Sequence, residues 1–257
     1  MAPAAGRTRP ERRRLDRLLV ERGLAKNRTR AQALIMAGRV FSGERRLDKP
    51  GVTLAADSAL EVRGRDHPWV SRGGVKLAHA LDHFGIDPRG AVVLDIGAST
   101  GGFTDVALAR GAARVYAVDV GRSQLAWKLR QDARVVVREG VNARRLGRDE
   151  VPEPVGLVVC DASFIGLEIV LPAPLALAAP GAWLVALIKP QFEAGPDKVG
   201  KGGVVRDAGV REAVCARIRA WLDGLPGWRV IGLVESPITG ADGNVEYLIA
   251  ARHDDAD

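Results

Sequence analysis

The spacing of apolar side chains changes character along the chain, and the change marks two regions. In the first, Leu15, Leu18 and Leu19 fall at helical intervals and predict a helix that ends by Gly23. A second helix follows, with Asn27 as its cap, Ala31, Leu34 and Ile35 as its apolar face, and Gly38 suited to a left-handed C-terminal cap. Val40 and Phe41 then open an extended stretch that turns at Gly43. Short strands are predicted over residues 52–54 and 60–62. Elements this small bury little surface, so the unit needs support from a neighbour.

From residue 91 short apolar runs alternate with amphipathic stretches. Strands are predicted over residues 92–96, 115–120, 135–137, 155–160 and 184–188, and two more over 230–234 and 245–250. Helices fill the gaps: one opening at Ser71, one reaching Arg110, one over 124–130 and a long one over 210–222. This alternation predicts an α/β fold, a mostly parallel sheet covered by helices on both faces. Sheets of that kind hold ligands at the carboxyl ends of their strands. His67-Pro68-Trp69-Val70 reads as a linker between the regions, with Trp69 as a packing anchor.

Charge sharpens the division. Residues 1–70 carry 16 Lys and Arg against 8 Asp and Glu, whereas residues 71–257 carry 22 against 23. The basic excess therefore belongs to the first region, as a binder of phosphate backbone requires. The 257 residues are 47% hydrophobic, enough for a real core. The longest apolar run falls short of the ~18 residues that cross a bilayer. The Arg-rich start, residues 1–14, lacks the apolar stretch of a secretory signal and reads as a flexible basic tail. Cys160 and Cys215 supply neither a disulfide framework nor a metal cluster, and a reduced, cytoplasmic setting is expected.

Two strand ends carry candidate ligand chemistry. The first runs into Asp95-Ile96-Gly97-Ala98-Ser99-Thr100-Gly101-Gly102-Phe103, whose glycines let the backbone approach a ligand. The second ends at Asp119, where a carboxylate can accept hydrogen bonds from a ribose diol. Together they point to a nucleotide-like cofactor. The Gly-x-Gly-x-x-Gly of dinucleotide binders is absent. The loop instead resembles the S-adenosylmethionine loop of class I methyltransferases. Asn142, after the third strand, is either a further cofactor contact near the adenine or a turn residue.

Further charged residues sit beside apolar runs, where an unpartnered charge is costly. Lys76 lies in the helix before the first strand, Asp161 after the fourth, Lys189 after the fifth and Glu246 at the last. In this chain order they resemble the Lys-Asp-Lys-Glu tetrad of the FtsJ-type ribose 2′-O-methyltransferases. In the first region, Asn27-Arg28-Thr29-Arg30-Ala31 through Gly38-Arg39-Val40 resembles the S-four type of RNA-binding domain. With Trp69-Val70-Ser71-Arg72-Gly73, Asp161-Ala162-Ser163-Phe164-Ile165, Lys189-Pro190-Gln191-Phe192-Glu193 and Asn244-Val245-Glu246-Tyr247, these motifs are similar to those of the TlyA family, over residues 15–251. One departure is His67-Pro68, where an Arg-containing start would precede Trp-Val.

The resemblance implies a class I, Rossmann-like methyltransferase with a small N-terminal α+β RNA-binding domain. Its divisions would be a tail to residue 14, an RNA-binding domain over 15–66, a linker over 67–70, a catalytic domain over 71–251 and a tail from 252. The implied activity is 2′-O-methylation of cytidine ribose in large-subunit and in some members also small-subunit ribosomal RNA, on free RNA or ribosomal subunits, with S-adenosylmethionine and without a metal. Lys189 would take the hydroxyl proton, Asp161 would orient it, and Glu246 would hold Lys76. Asp95, Gly97, Ala98, Ser99, Thr100, Gly101, Gly102, Phe103, Asp119 and Asp161 would bind the cofactor. Lys26, Arg28, Arg30, Arg39, Arg45, Arg46 and Arg72 would bind RNA, with Arg28, Arg30 and Arg39 exposed on the second helix and the turn after it. Family members also carry an older haemolysin label. A pore-forming protein would need a membrane-active element and an export signal. A non-catalytic ribosome-assembly factor would have lost part of the tetrad.

Overall fold

The computed structural model describes residues 11–36, 38–63, 67–240 and 243–254. The chain divides into two compact units, Met1–Pro68 and Trp69–Asp257.

In the first unit, α1 (Leu15–Glu21) and α2 (Arg28–Met36) pack on small sheets. One is the ribbon of β1 (Arg12–Arg14) with β4 (Thr53–Ala55). The other is the three-stranded sheet in the order β3 (Arg45–Leu47), β2 (Val40–Ser42), β5 (Glu61–Val62). Leu15, Leu19, Ala31, Leu34, Ile35, Val40 and Leu47 form the core. The helix faces read from the sequence are thus the buried ones. Residues 1–10 of the expected basic tail lie outside the described residues; its end is corrected, because Arg12–Arg14 is a strand paired with Thr53–Ala55. An arginine reaches water from either face of a strand edge, so its charge does not argue against pairing.

The second unit is built on a seven-stranded sheet in the order β11-β12-β10-β9-β6-β7-β8. Its strands are β6 (Val92–Ile96), β7 (Arg114–Asp119), β8 (Val135–Glu139), β9 (Val155–Cys160), β10 (Ala178–Ile188), β11 (Trp228–Glu235) and β12 (Tyr247–His253). β6 to β10 run parallel, and β12 lies antiparallel between β10 and β11. Two apolar clusters cover its two faces. Leu94, Ile96, Val158 and Leu184 point into one, and Val93, Leu157, Val159 and Val185 into the other. Buried on both sides, these strands read as continuous apolar runs.

The helices named below are α3 (Gly73–Phe84), α4 (Gly102–Ala109), α5 (Trp127–Arg130), α6 (Leu167–Val170), α7 (Pro172–Leu175), α8 (Pro190–Glu193) and α9 (Ala208–Asp223). α5 is shorter than its apolar spacing suggests. The amides of Ser123, Gln124 and Leu125 donate to the Glu139 carboxylate, which diverts them from a helical turn. Arg130 beside Glu139, with these amides, holds that carboxyl down at about 2. The ends of the unit also differ from expectation. Val70 is buried and donates its amide to Asp105 Oδ2 at 2.8 Å, and Trp69 packs against Gly74, so neither behaves as free linker. β12 continues to His253, into the stretch expected to be a tail.

Candidate active site

The carboxyl ends of the parallel strands gather the charged residues. β9 hands over to Asp161, β10 to Lys189 at the start of α8, and Glu246 precedes β12. Lys76 reaches them from the first turn of α3. These four pair off. Lys76 Nζ donates to Glu246 Oε2 at 2.5 Å, with both side chains buried. Lys189 Nζ lies 2.7 Å from Asp161 Oδ1, and its hydrogen bonds go to the Asp161 carbonyl at 3.1 Å and Ser163 Oγ at 2.8 Å. All four line one cavity of about 390 Å³, together with Ser71, Phe103, Gln191 and Phe192. The pairing gives each buried lysine an acidic partner, as an ionisable group in low dielectric requires.

A second cavity of about 400 Å³ adjoins the first, and Gly97, Ser99, Asp161, Ser163 and Phe164 border both. Its far wall holds Asp119, Gly121, Gln124 and Asn142 among the apolar side chains of Val120, Val141 and Ile165. Asp119 braces the loop it faces: Oδ2 accepts from the Ser99 amide at 2.8 Å and Oδ1 from Gly121 at 2.7 Å. Gly97 has φ +78, and a Cβ there would stand 2.9 Å from the Ala162 Cα, so only glycine lets the two loops close on each other. Of the two roles considered for Asn142, the turn residue is the one seen. Its side chain accepts from the Arg144 amide as the cap of a short helical turn, and the residue lines the cavity.

Not every expected cofactor residue lines a cavity. Ala98, Thr100, Gly102 and Phe103 line the first. Asp95 and Gly101 line neither. Asp95 is fully buried behind the loop, where Oδ2 accepts from Thr104 N at 3.0 Å and Thr104 Oγ1 at 2.6 Å. Burial pushes its carboxyl up to about 7, against the pull of Thr104 and with help from the charges of Asp161 and Asp119. Gly101 is a packing position at the start of α4, where the Leu125 and Leu129 side chains fill the room a Cβ would take. Cys160 adjoins the site, but burial pushes its thiol up to about 12, which leaves no thiolate for chemistry.

The basic residues of the first unit divide as well. Lys26, Arg45 and Arg46 are exposed, whereas Arg30 and Arg39 are half-buried. The exposed placement expected for those two is therefore corrected. Arg28 is exposed but committed to a partner. With Arg14 and Gln32 it surrounds Asp16, a fully buried carboxylate held well below the usual range, chiefly by Arg14. A buried acid needs such partners, and this one recruits an arginine that helical spacing alone assigns to the RNA face. Arg72, in the second unit, is exposed at the rim of the first cavity.

Several side chains at the cavities escaped the sequence reading. Ser163 and Gln191 lie within quoted motifs but carry no charge to flag them. Phe164 is 88% exposed, has φ +64, and packs its ring 4.8 Å from that of Phe192. An aromatic three residues after a catalytic-looking acid was the available signal.

A sheet of this order with a glycine loop after β6, an acid at the end of β7 and charged pairs at the facing strand ends defines a methyltransferase of the Rossmann-like class. Residues 69–253 match the FtsJ-like methyltransferase family and residues 13–58 match the S4 domain. The chain belongs to that methyltransferase family. It is 47% identical over 242 residues to the 16S/23S rRNA (cytidine-2′-O)-methyltransferase TlyA of Mycobacterium tuberculosis, covering 94% of this chain and 90% of that protein. It is 39% identical over 239 residues to Hemolysin A of Brachyspira hyodysenteriae, covering 91% of this chain and 98% of that one. A solved structure from Streptococcus thermophilus, labelled a hemolysin, superposes with TM-score 0.72 at 42% identity, over 95% of this chain and 90% of that one. No helix among the described residues is long and apolar enough to cross a membrane.

Proposed function

We propose that this methyltransferase modifies the ribose 2′-hydroxyl of cytidine in ribosomal RNA, with S-adenosylmethionine as methyl donor. The observation that carries the reading is the convergence of two Lys–carboxylate pairs on a cavity that adjoins the Asp119 cavity. The residues fit the donor: Gly97 leaves room for a close backbone approach, Asp119 offers a carboxylate to a ribose diol, and Val120, Val141 and Ile165 offer apolar walls to an adenine. Bound there, the donor supplies an electrophilic methyl group.

The chain supplies the rest. A ribose hydroxyl is a weak nucleophile until its proton is taken, and Lys189 Nζ is the group assigned to receive it. Asp161 orients Lys189, and Glu246 fixes Lys76 so that its charge faces the developing oxyanion. Holding the hydroxyl in line with the methyl group supplies much of the rate. Phe164 and Phe192 offer aromatic surface to a base drawn out of its stack. Lys26, Arg45, Arg46 and Arg72 supply charge for RNA phosphates.

The test is methyl transfer from labelled S-adenosylmethionine to rRNA by Lys189→Ala. Activity should be lost while donor binding stays. Near-normal transfer would remove Lys189 from the mechanism.

A further inference from the structure

The two hydrogen bonds of Lys189 determine more than its location. Its Nζ donates to the Asp161 carbonyl at 3.1 Å and to Ser163 Oγ at 2.8 Å. The carboxylate oxygen Oδ1 of Asp161 is close, at 2.7 Å, but receives no aligned hydrogen bond. A neutral lysine has two N–H donors and one lone pair. If the carbonyl and the serine take the two donors, the lone pair is left in the third direction.

The carbonyl is fixed by the main chain, because the Asp161 amide donates to the Ile96 carbonyl at 3.0 Å. The serine is fixed by a turn with an unusual backbone. Ala162 before it abuts Gly97, and Phe164 after it has φ +64, a left-handed conformation that an aromatic residue adopts at a cost. α8 holds the far side of the same turn. The Phe192 ring packs on Phe164, and Glu193 accepts the Leu167 amide at 2.8 Å. Strain kept in place by neighbouring contacts is characteristic of functional sites, and here it presents a hydroxyl to Lys189.

We infer that Ser163 is a positioning residue: with the Asp161 carbonyl it cradles Lys189 Nζ so that the lone pair faces the incoming ribose hydroxyl. The inference rests on the reading above. In the step it serves, the 2′-O–H bond breaks and its proton goes to Nζ. The electron pair of that bond forms the new O–CH₃ bond, and the electrons of the broken S–CH₃ bond stay with sulfur. Without Ser163, Nζ keeps only the Asp161 carbonyl, and an N–H can turn into the direction the lone pair needs.

The experiment compares wild type, Ser163→Ala and Ser163→Thr as full chains, on ribosomal subunits from cells lacking the protein. Ser163→Ala should lower kcat roughly 2- to 10-fold, the effect of one hydrogen bond between uncharged groups. KM for the subunits and Kd for S-adenosylmethionine should stay within about twofold. Ser163→Thr keeps the hydroxyl, and the residue is exposed enough to admit the extra methyl, so it should restore most of the rate. The ¹⁵Nζ resonance of Lys189, recorded without RNA, should shift and broaden in Ser163→Ala and return in Ser163→Thr. An unaltered kcat or resonance in Ser163→Ala, or equal loss in the two variants, overturns the inference. A wild-type protein inactive on all subunits overturns the underlying reading instead, and the resonance then still decides whether the cradle exists.

Discussion

Asp95→Asn should make the second unit more stable relative to wild type as pH rises, because the native carboxyl is buried where ionisation is expensive. Its folded value is about 7, against an ordinary value of 3.8, with burial as the leading cause. The sign follows from a raised acid. Its contribution is fully present below the unfolded value, and is lost as pH climbs from about 4 through 7, where the unfolded chain ionises first. About three pH units at ~1.4 kcal/mol each give a loss on the order of 4 kcal/mol by neutral pH. Asn keeps an oxygen for the Thr104 amide and hydroxyl and has no charge to lose. Any packing penalty of the amide is the same at every pH and cancels from the difference.

Between about pH 5 and pH 8 the variant should therefore gain about 3 kcal/mol on wild type. For a unit of this size that is roughly 6 to 12 °C in Tm, read by scanning calorimetry at the two pH values. A difference in Tm that does not change between them would show that the Asp95 carboxyl is not desolvated in the fold.

Three further outcomes follow from the same geometry. Lys76→Ala strands Glu246, which is 2% exposed, and should cost about 3 to 5 kcal/mol in denaturant titration, while the double variant with Glu246→Leu recovers part of it; full stability of the single variant would mean the pair is not buried. Gly97→Ala, at φ +78 and against Ala162, should weaken donor binding measured by calorimetry at least tenfold, and an unchanged Kd would place the donor elsewhere. Arg28→Ala should lower the thermal stability of the first unit more than its affinity for RNA, since it removes a partner of buried Asp16; a loss of affinity at unchanged Tm would return Arg28 to the RNA face.

Features that depend on period and chain order could be read before the structure. β6, β7 and β9 are buried on both faces, so their apolar runs were visible, and the motifs at their ends fell where the sheet presents them. The four charged residues stood out beside apolar runs, but each alone read as an ordinary ion-pair member, and it was the family resemblance that grouped them as a tetrad. Residues whose role depends on a distant partner could not be read. Asp95 and Asp119 look alike as acids at adjacent strand ends, yet one faces Thr104 in the interior and the other faces a cavity. Arg28 and Lys26 are both cations at the start of α2, and only the position of Asp16, twelve residues before Arg28, separates their roles. Ser163 was hidden for another reason. A serine carries no periodic or electrostatic mark, and its meaning comes from a backbone turn that spacing does not encode.

The place of β9 in the sheet has a consequence for how such an enzyme can diverge. Asp119 at the end of β7 and Asn142 beyond β8 line the second cavity alone, and Lys76, Lys189 and Glu246 line the first alone. β9 lies at the seam, and Asp161 at its end borders both cavities. Substitutions on either flank can retune one partner of the reaction while leaving the other alone. Under the proposed function, a change at the residues bordering both cavities, Gly97 and Ser99 after β6 with Asp161, Ser163 and Phe164 after β9, alters both at once, so adaptation to new RNA targets has more room elsewhere along the rim.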